Sequence, residues 1–84
     1  MKPNKRVLIT GASRGIGEAI ARRLSRAGFE LCLHANHSRE TLLALAEELG
    51  ASTYFADFED PSQVLRLADE VGAVDILIDR KSVV

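Results

Sequence analysis

Apolar and polar positions along the chain follow two rhythms in turn. The run RVLIT, residues 6–10, is rich in branched side chains and bounded by polar residues and a glycine, which predicts a strand buried on both faces. From Gly15 the spacing changes: Ile16, Ala19, Ile20, Leu24 and Ala27 recur at helical intervals, and Gly28 is placed to close that helix. FELCLHA, residues 29–35, supplies a second strand. After the polar NHS, Ser38 is placed to cap a helix with Leu42, Leu45, Ala46 and Leu49 on its apolar face and Gly50 at its end. STYFAD, residues 52–57, is a third strand. In EDPSQV, Asp60 takes the cap position, Pro61 the first helical position, and Gln63 stands where it can reach back. Val64, Leu67, Ala68 and Val71 form that helix's apolar stripe, and VDILI, residues 74–78, is a fourth strand.

Strands separated by helices at this spacing imply parallel pairing through right-handed crossovers, with helices on both faces of the sheet. The expected class is α/β: the N-terminal half of a doubly wound Rossmann fold, with four parallel strands and three crossover helices. Residues 1–78 are expected to form one continuous unit without linker or repeat, and at 84 residues no second domain with its own chemistry is expected.

Composition narrows the function classes. Eleven basic and twelve acidic side chains leave a net charge of −1, without the clustered basic surface that nucleic acid requires. The apolar runs are far shorter than the roughly 20 residues that span a bilayer, and the run after MKPNKR is too short for a secretory core. No membrane or nucleic-acid partner is expected, and the expected location is cytoplasmic. Cys32 is the single cysteine, so no internal disulfide forms; in its apolar stretch it reads as a small core residue. His34 and His37 invite a metal reading, but two histidines on a loop without a supporting cysteine read as a solvated or ligand-adjacent pair, and no metal is expected.

The chemistry concentrates in TGASRGIG, residues 10–17, between the first strand and the first helix. In an open parallel sheet that loop lies at the carboxyl edge, where ligands bind. Gly11 permits a turn that a side chain would strain, Gly15 lets the backbone approach a ligand, and Gly17 allows close helix packing. Exposed amides and the positive helix end then favour a diphosphate. The spacing is Gly-x-x-x-Gly-x-Gly, and no Gly-Lys-Ser/Thr is present, which disfavours a nucleotide-hydrolysing phosphate loop. The alternative is a helix start whose glycines serve packing alone.

TGASRGIG resembles the cofactor loop of the short-chain dehydrogenase/reductase family, and the likeness continues through the acid of FAD, FEDP and VDILI to Ile78. It looks most like the 3-oxoacyl-acyl-carrier-protein reductase branch. The resemblance implies hydride transfer between a nicotinamide dinucleotide and a carbonyl or alcohol, with Gly11, Ser13, Arg14, Gly15, Ile16 and Gly17 holding the cofactor. At the end of the second strand, where an acid would select the unphosphorylated cofactor, stands Ala35. Arg14 resembles the family's phosphate-binding arginine, and Asn36 can add a neutral contact, so NADPH is expected over NADH. Asp57 matches the position that meets the adenine amino group, with Phe58 contributing its backbone. The alternatives are an exposed charge at a helix start for Arg14 and a solvated turn for Asp57.

The family's catalytic tyrosine is followed four residues later by lysine. The one tyrosine here, Tyr54, is followed at that interval by Phe58, so no catalytic residue is assigned. After VDILI the family pattern calls for Asn-Asn-Ala-Gly, whereas this chain reads Asp79-Arg80-Lys81-Ser82-Val83-Val84. So abrupt a change makes residues 79–84 expected to be foreign to the fold; the codons gat cgg aag agc gtc gtg tag of a sequencing adapter would encode that hexapeptide and a stop. The leading expectation is an N-terminal fragment of an NADPH-dependent reductase, inactive by itself, from a full-length form that is a homo-oligomer. A free-standing nucleotide-binding or regulatory module is the alternative. A methyl-donor-binding α/β domain would want an acid at Ala35. The substrate is not readable.

Overall fold

The computed structural model describes residues 5–12 and 15–78. Its elements follow in the order β1 (Arg6–Ile9), α1 (Gly15–Arg26), β2 (Glu30–Ala35), α2 (Arg39–Leu49), β3 (Ser52–Phe55), α3 (Pro61–Val71) and β4 (Ile76–Ile78). The strands form one sheet ordered β3-β2-β1-β4, and each neighbouring pair is parallel. Val7 lies opposite Leu31 on one side and Ile76 on the other, so β1 is central. This is the expected α/β half of a doubly wound fold, with one crossover helix between each pair of successive strands.

The alternation of strand side chains divides the interior into two layers. Val7, Ile9, Leu31, Leu33 and Ala35 point towards α1 and α2 and pack with Ala21, Leu42, Leu45 and Ala46. Cys32 points the other way and packs with Ala56, Leu67 and Val71 beneath α3, with Leu8 and Tyr54 partly buried beside it. The first layer is closed by two helices; the second has one.

That asymmetry corrects several expectations. β1 is not buried on both faces: Val7 and Ile9 are fully enclosed, whereas Leu8 is half-buried. In α3, Leu67 and Val71 are buried, but Val64 and Ala68 are exposed and line an apolar hollow of about 520 Å³ with Leu8 and Leu77. No second helix among the described residues covers that side of β1 and β4. In α1 the buried positions are Gly17 and Ala21, supported by Ile20 and Leu24, while Ile16, Ala19 and Ala27 face outward. The stripe is therefore turned towards the glycine loop. In α2 the expected face holds, with Leu42, Leu45 and Ala46 buried and Leu49 packed against them.

The helix ends carry their own corrections. Ser38 occupies the position before α2 but adopts a left-handed conformation with φ of 58° and makes no side-chain cap, so α2 starts without the expected bond. Asp60 does cap α3: Oδ1 accepts from the Ser62 amide at 3.0 Å and from the Ser62 hydroxyl at 2.8 Å, and Oδ2 accepts from Gln63 Nε2 at 3.2 Å. Gln63 reaches back further, its Oε1 accepting from the Asp57 amide at 2.8 Å.

Bonds from Ser62 and Gln63 hold the Asp60 carboxyl below the ordinary aspartate value. A depressed folded value contributes stability that is complete above the unfolded pKa of about 4 and is lost as pH falls through the folded one. Urea midpoints are thus expected to drop as the pH is lowered below about 4, and Asp60→Asn should flatten that part of the profile. A parallel acid slope in both proteins would refute this role.

Arg6 fastens the edge of the sheet away from the glycine loop. Its guanidinium donates to the carbonyls of Val71 and Ala73, each at 2.7 Å, to Glu30 Oε2 at 3.2 Å and to Cys32 Sγ at 3.1 Å. Its amide donates to Asp75 Oδ2 at 2.8 Å. A cation thus satisfies carbonyls at the end of α3 that have no partner within the helix. Cys32 is fully enclosed; burial pushes its thiol pKa up, and the Arg6 guanidinium partly offsets that rise. On the opposite face Arg22 bonds to Glu18 on its own helix at 3.0 Å and to Glu48 on α2, and it holds the Glu48 carboxyl below the usual range. These partners are exposed, so the ion pairs orient the helices more than they stabilise them.

Candidate functional site

β1 leads directly into the glycine loop. Thr10 is buried and its amide donates to Ile78 O at 3.0 Å, carrying the β1–β4 pairing one residue past the strand. The chain then turns at Gly11, with φ of 64°, and the Ala12 amide donates to His34 O at 3.0 Å. The loop is thereby fixed to both neighbours of β1 at the carboxyl edge of the sheet. Gly15 opens α1 with φ of 62°, and an added Cβ there would meet nothing within 4 Å. At Gly17 the position is reversed: an added Cβ would stand 2.5 Å from Gly11 O and 3.1 Å from Ala12 Cα. Gly17 is the contact that lets α1 begin against the loop, so its first-turn amides face the same edge as the loop backbone.

A hollow of about 210 Å³ adjoins the loop, lined by Thr10, Gly11, His34, Asn36, Ala56, Asp57, Phe58 and Glu59. It brings together three of the expected site positions, Asn36, Asp57 and Phe58, with Gly11. Asn36 is exposed at the end of β2. Asp57 Oδ1 accepts from the Glu59 amide at 2.9 Å, which shapes the turn into α3 and leaves the carboxylate on the hollow. The Phe58 ring, and not only its backbone, shapes the site: it stacks on His34 with centroids 4.3 Å apart and planes 9° from parallel. Ile16 is 59% exposed beside the loop. Ser13 and Arg14 lie outside the described residues, as do residues 79–84.

Other positions fall differently. Ala35 is buried and packs towards α1 and α2, so no carboxylate stands at the end of β2. His34 lies within β2 and is buried, contrary to its reading as half of a loop pair; His37 is exposed. The exposed Arg39 places its guanidinium 4.1 Å above the Phe55 ring, a cation–π contact at the start of α2. Tyr54 is half-buried under α3. Among the described residues, no three histidine, cysteine or acidic groups gather to hold a metal, and no helix is long and apolar enough to cross a membrane.

The residue that sequence reasoning missed is His34. Its Nε2 lies 2.9 Å from Ala56 O, and its Nδ1 lies 3.4 Å from the Gly11 amide. The signal was present: within LCLHA, Leu31, Leu33 and Ala35 share one face, which puts His34 on the other with Cys32.

A glycine loop between a central parallel strand and a helix start, beside a hollow at the carboxyl edge, defines a nucleotide-binding α/β protein. Residues 5–81 match the model of the short chain dehydrogenase family, and the chain belongs to that family. It is 40% identical over 74 residues to the cyclic-di-GMP-binding biofilm dispersal mediator protein of Escherichia coli K12, covering 88% of this chain and 31% of that protein. It is 33% identical over 92 residues to the 3-oxoacyl-[acyl-carrier-protein] reductase FabG of Staphylococcus aureus, covering 99% of this chain and 37% of the reductase. The crystal structure of BdcA in complex with NADPH superposes with a TM-score of 0.81 at 40% identity, over 89% of this chain and 31% of that one. The chain thus spans about a third of the length of these relatives.

Proposed function

We propose that this chain is the dinucleotide-binding, N-terminal part of an NADPH-dependent short-chain oxidoreductase that transfers hydride between the cofactor and a carbonyl or alcohol. The observation that carries the reading is the contact of Gly17 with Gly11 O, which holds the start of α1 against a loop at the carboxyl edge of the sheet. In this proposal Gly11, Ser13, Arg14, Gly15, Ile16 and Gly17 hold the diphosphate and the 2′-phosphate side, Asn36 adds a neutral contact, and Asp57 with Phe58 receives the adenine. The similar structure that is complexed with NADPH supports the choice of cofactor, and so does Ala35, which presents no charge to repel a 2′-phosphate. The likeness to a 3-oxoacyl-[acyl-carrier-protein] reductase supports a 3-oxoacyl thioester as substrate class. None of the 84 residues is assigned the proton-donating role, so the chain alone is proposed to be inactive, with residues 1–78 as its cofactor unit and 79–84 foreign to it.

Calorimetric titration of the 84-residue chain tests the reading. NADPH is expected to bind at least about 10-fold more tightly than NADH, because a charge-assisted bond to phosphate exceeds a neutral one. Arg14→Ala should bring the two affinities within about 2-fold of each other by weakening NADPH alone. Equal affinities in the parent, or none for either, would overturn the reading. Cyclic-di-GMP in the same titration addresses the regulatory-module alternative, which the name of the Escherichia coli relative favours.

A further inference from the structure

Buried polar side chains are rare in this small core, and the one with two polar ring atoms lies between the two loops of the site. His34 is 4% exposed. Its Nδ1 is in reach of the Gly11 amide at 3.4 Å, its Nε2 is 2.9 Å from Ala56 O, and its ring lies flat on Phe58. Its main-chain carbonyl accepts from the Ala12 amide at 3.0 Å. With the proton on Nε2, both ring atoms are satisfied at once: Nε2–H donates to Ala56 O and Nδ1 accepts from Gly11 N–H. An apolar residue could fill the same space, but it would leave a carbonyl and an amide without these bonds.

We propose that His34 is a positioning residue that sets the separation between the glycine loop and the β3–α3 loop, so that one dinucleotide meets both together. This rests on the dinucleotide-binding reading above. A ligand that touches only the glycine loop needs the loop's shape. A ligand that runs from the diphosphate to the adenine also needs the distance to Asp57 and Phe58, and the His34 side chain bonds to both segments.

Two conservative variants divide its contacts. In His34→Asn the amide oxygen can replace Nδ1 and keep the Gly11 bond while the bond to Ala56 is lost. In His34→Gln the amide nitrogen can replace Nε2 and keep the Ala56 bond while Gly11 is released. Affinities for NADPH and for inorganic pyrophosphate are measured by calorimetry, with melting curves to establish folding. NADPH should weaken about 10-fold in both variants, the loss expected for one oriented hydrogen bond. Pyrophosphate should weaken in His34→Gln and stay within about 2-fold of the parent in His34→Asn. Folded variants that bind NADPH as the parent does overturn the proposal. So does an equal loss of both ligands in both variants, the result of general loosening. The parent chain supplies a test that needs no variant: on adding NADPH, the ¹⁵N resonances of the His34 ring should move together with the amides of Gly11 and Asp57. A His34 ring that stays still while the Gly11 amide moves would also defeat it. A parent that does not bind NADPH defeats the cofactor reading and this proposal together, whereas normal binding by the variants defeats this proposal alone.

Discussion

Gly17→Ala should melt well below the parent chain and bind no NADPH at concentrations that saturate the parent. The single added carbon would stand 2.5 Å from a carbonyl oxygen and 3.1 Å from a Cα, both in the backbone of the glycine loop. That backbone has little freedom to retreat, because Gly11 is already turned to φ of 64° and the Ala12 amide is tied to His34 O. Overpacking of this kind costs about 1–3 kcal/mol. The total stability expected for a chain this short is only about 4–12 kcal/mol. Relief comes from moving α1 away from the loop, which takes the helix start off the ligand edge. Gly15→Ala is the control. It also sits at positive φ, so a strain of about 1–2 kcal/mol is expected, but its Cβ would meet open space. Gly15→Ala should therefore melt nearer the parent than Gly17→Ala does, since only Gly17→Ala pushes α1 off the loop. Thermal melts followed by circular dichroism, with calorimetric titration of each variant, give the comparison; indistinguishable melts for Gly17→Ala and the parent would show that the contact is not needed.

The second large effect is expected at the opposite margin. β4 pairs with β1 on one side, and Leu77 is 60% exposed while Ile76 is 38% exposed. Val64, Ala68 and Leu8 border the adjacent apolar hollow. Among the described residues no strand pairs with the other edge of β4, and such an edge beside a bare apolar surface is a template for another chain. At micromolar concentrations and above, the 84-residue chain should associate. Leu77→Lys, which places a charge on that edge, should restore the monomer. Sedimentation velocity measures both; a parent that stays monomeric up to about 100 μM would rule the expectation out.

How much of this was legible depended on how far each feature is local. The strand of LCLHA and the helix face of Leu42, Leu45 and Ala46 could be read because pattern and burial agree on them, whereas RVLIT was legible as a strand but not in its burial, since Leu8 is only half-buried. Asp60 and Pro61 marked the start of α3 through short-range chemistry that the fold preserves. The face of α1 was misread because Ile16, Ala19 and Ala27 fit a helical period equally well, and only the contact of Gly17 with Gly11 O selects which side turns inward. Ser38 failed as a cap because its backbone is left-handed, something its identity does not announce. Val64 and Ala68 carry a core pattern on a surface that the described residues leave open. In the site, glycine spacing identified the loop, but the role of His34 was hidden because Ala56 and Phe58, more than twenty positions away, supply its partners.

The attachment of Arg6 bears on how the molecule comes into being. Its partners Val71, Ala73 and Asp75 stand 65 to 69 positions later, and β4, the second neighbour of the central strand, follows them. During synthesis at about 5–20 residues per second, the first strand therefore waits several seconds with one margin unclaimed. Closing such distant contacts is slow relative to forming a helix. A ribosome-bound chain halted before Val71 would offer its guanidinium Glu30 and Cys32 but not the carbonyls of Val71 and Ala73, and would hold its opening strand half-mated, a stage at which a chaperone has a definite segment to shield.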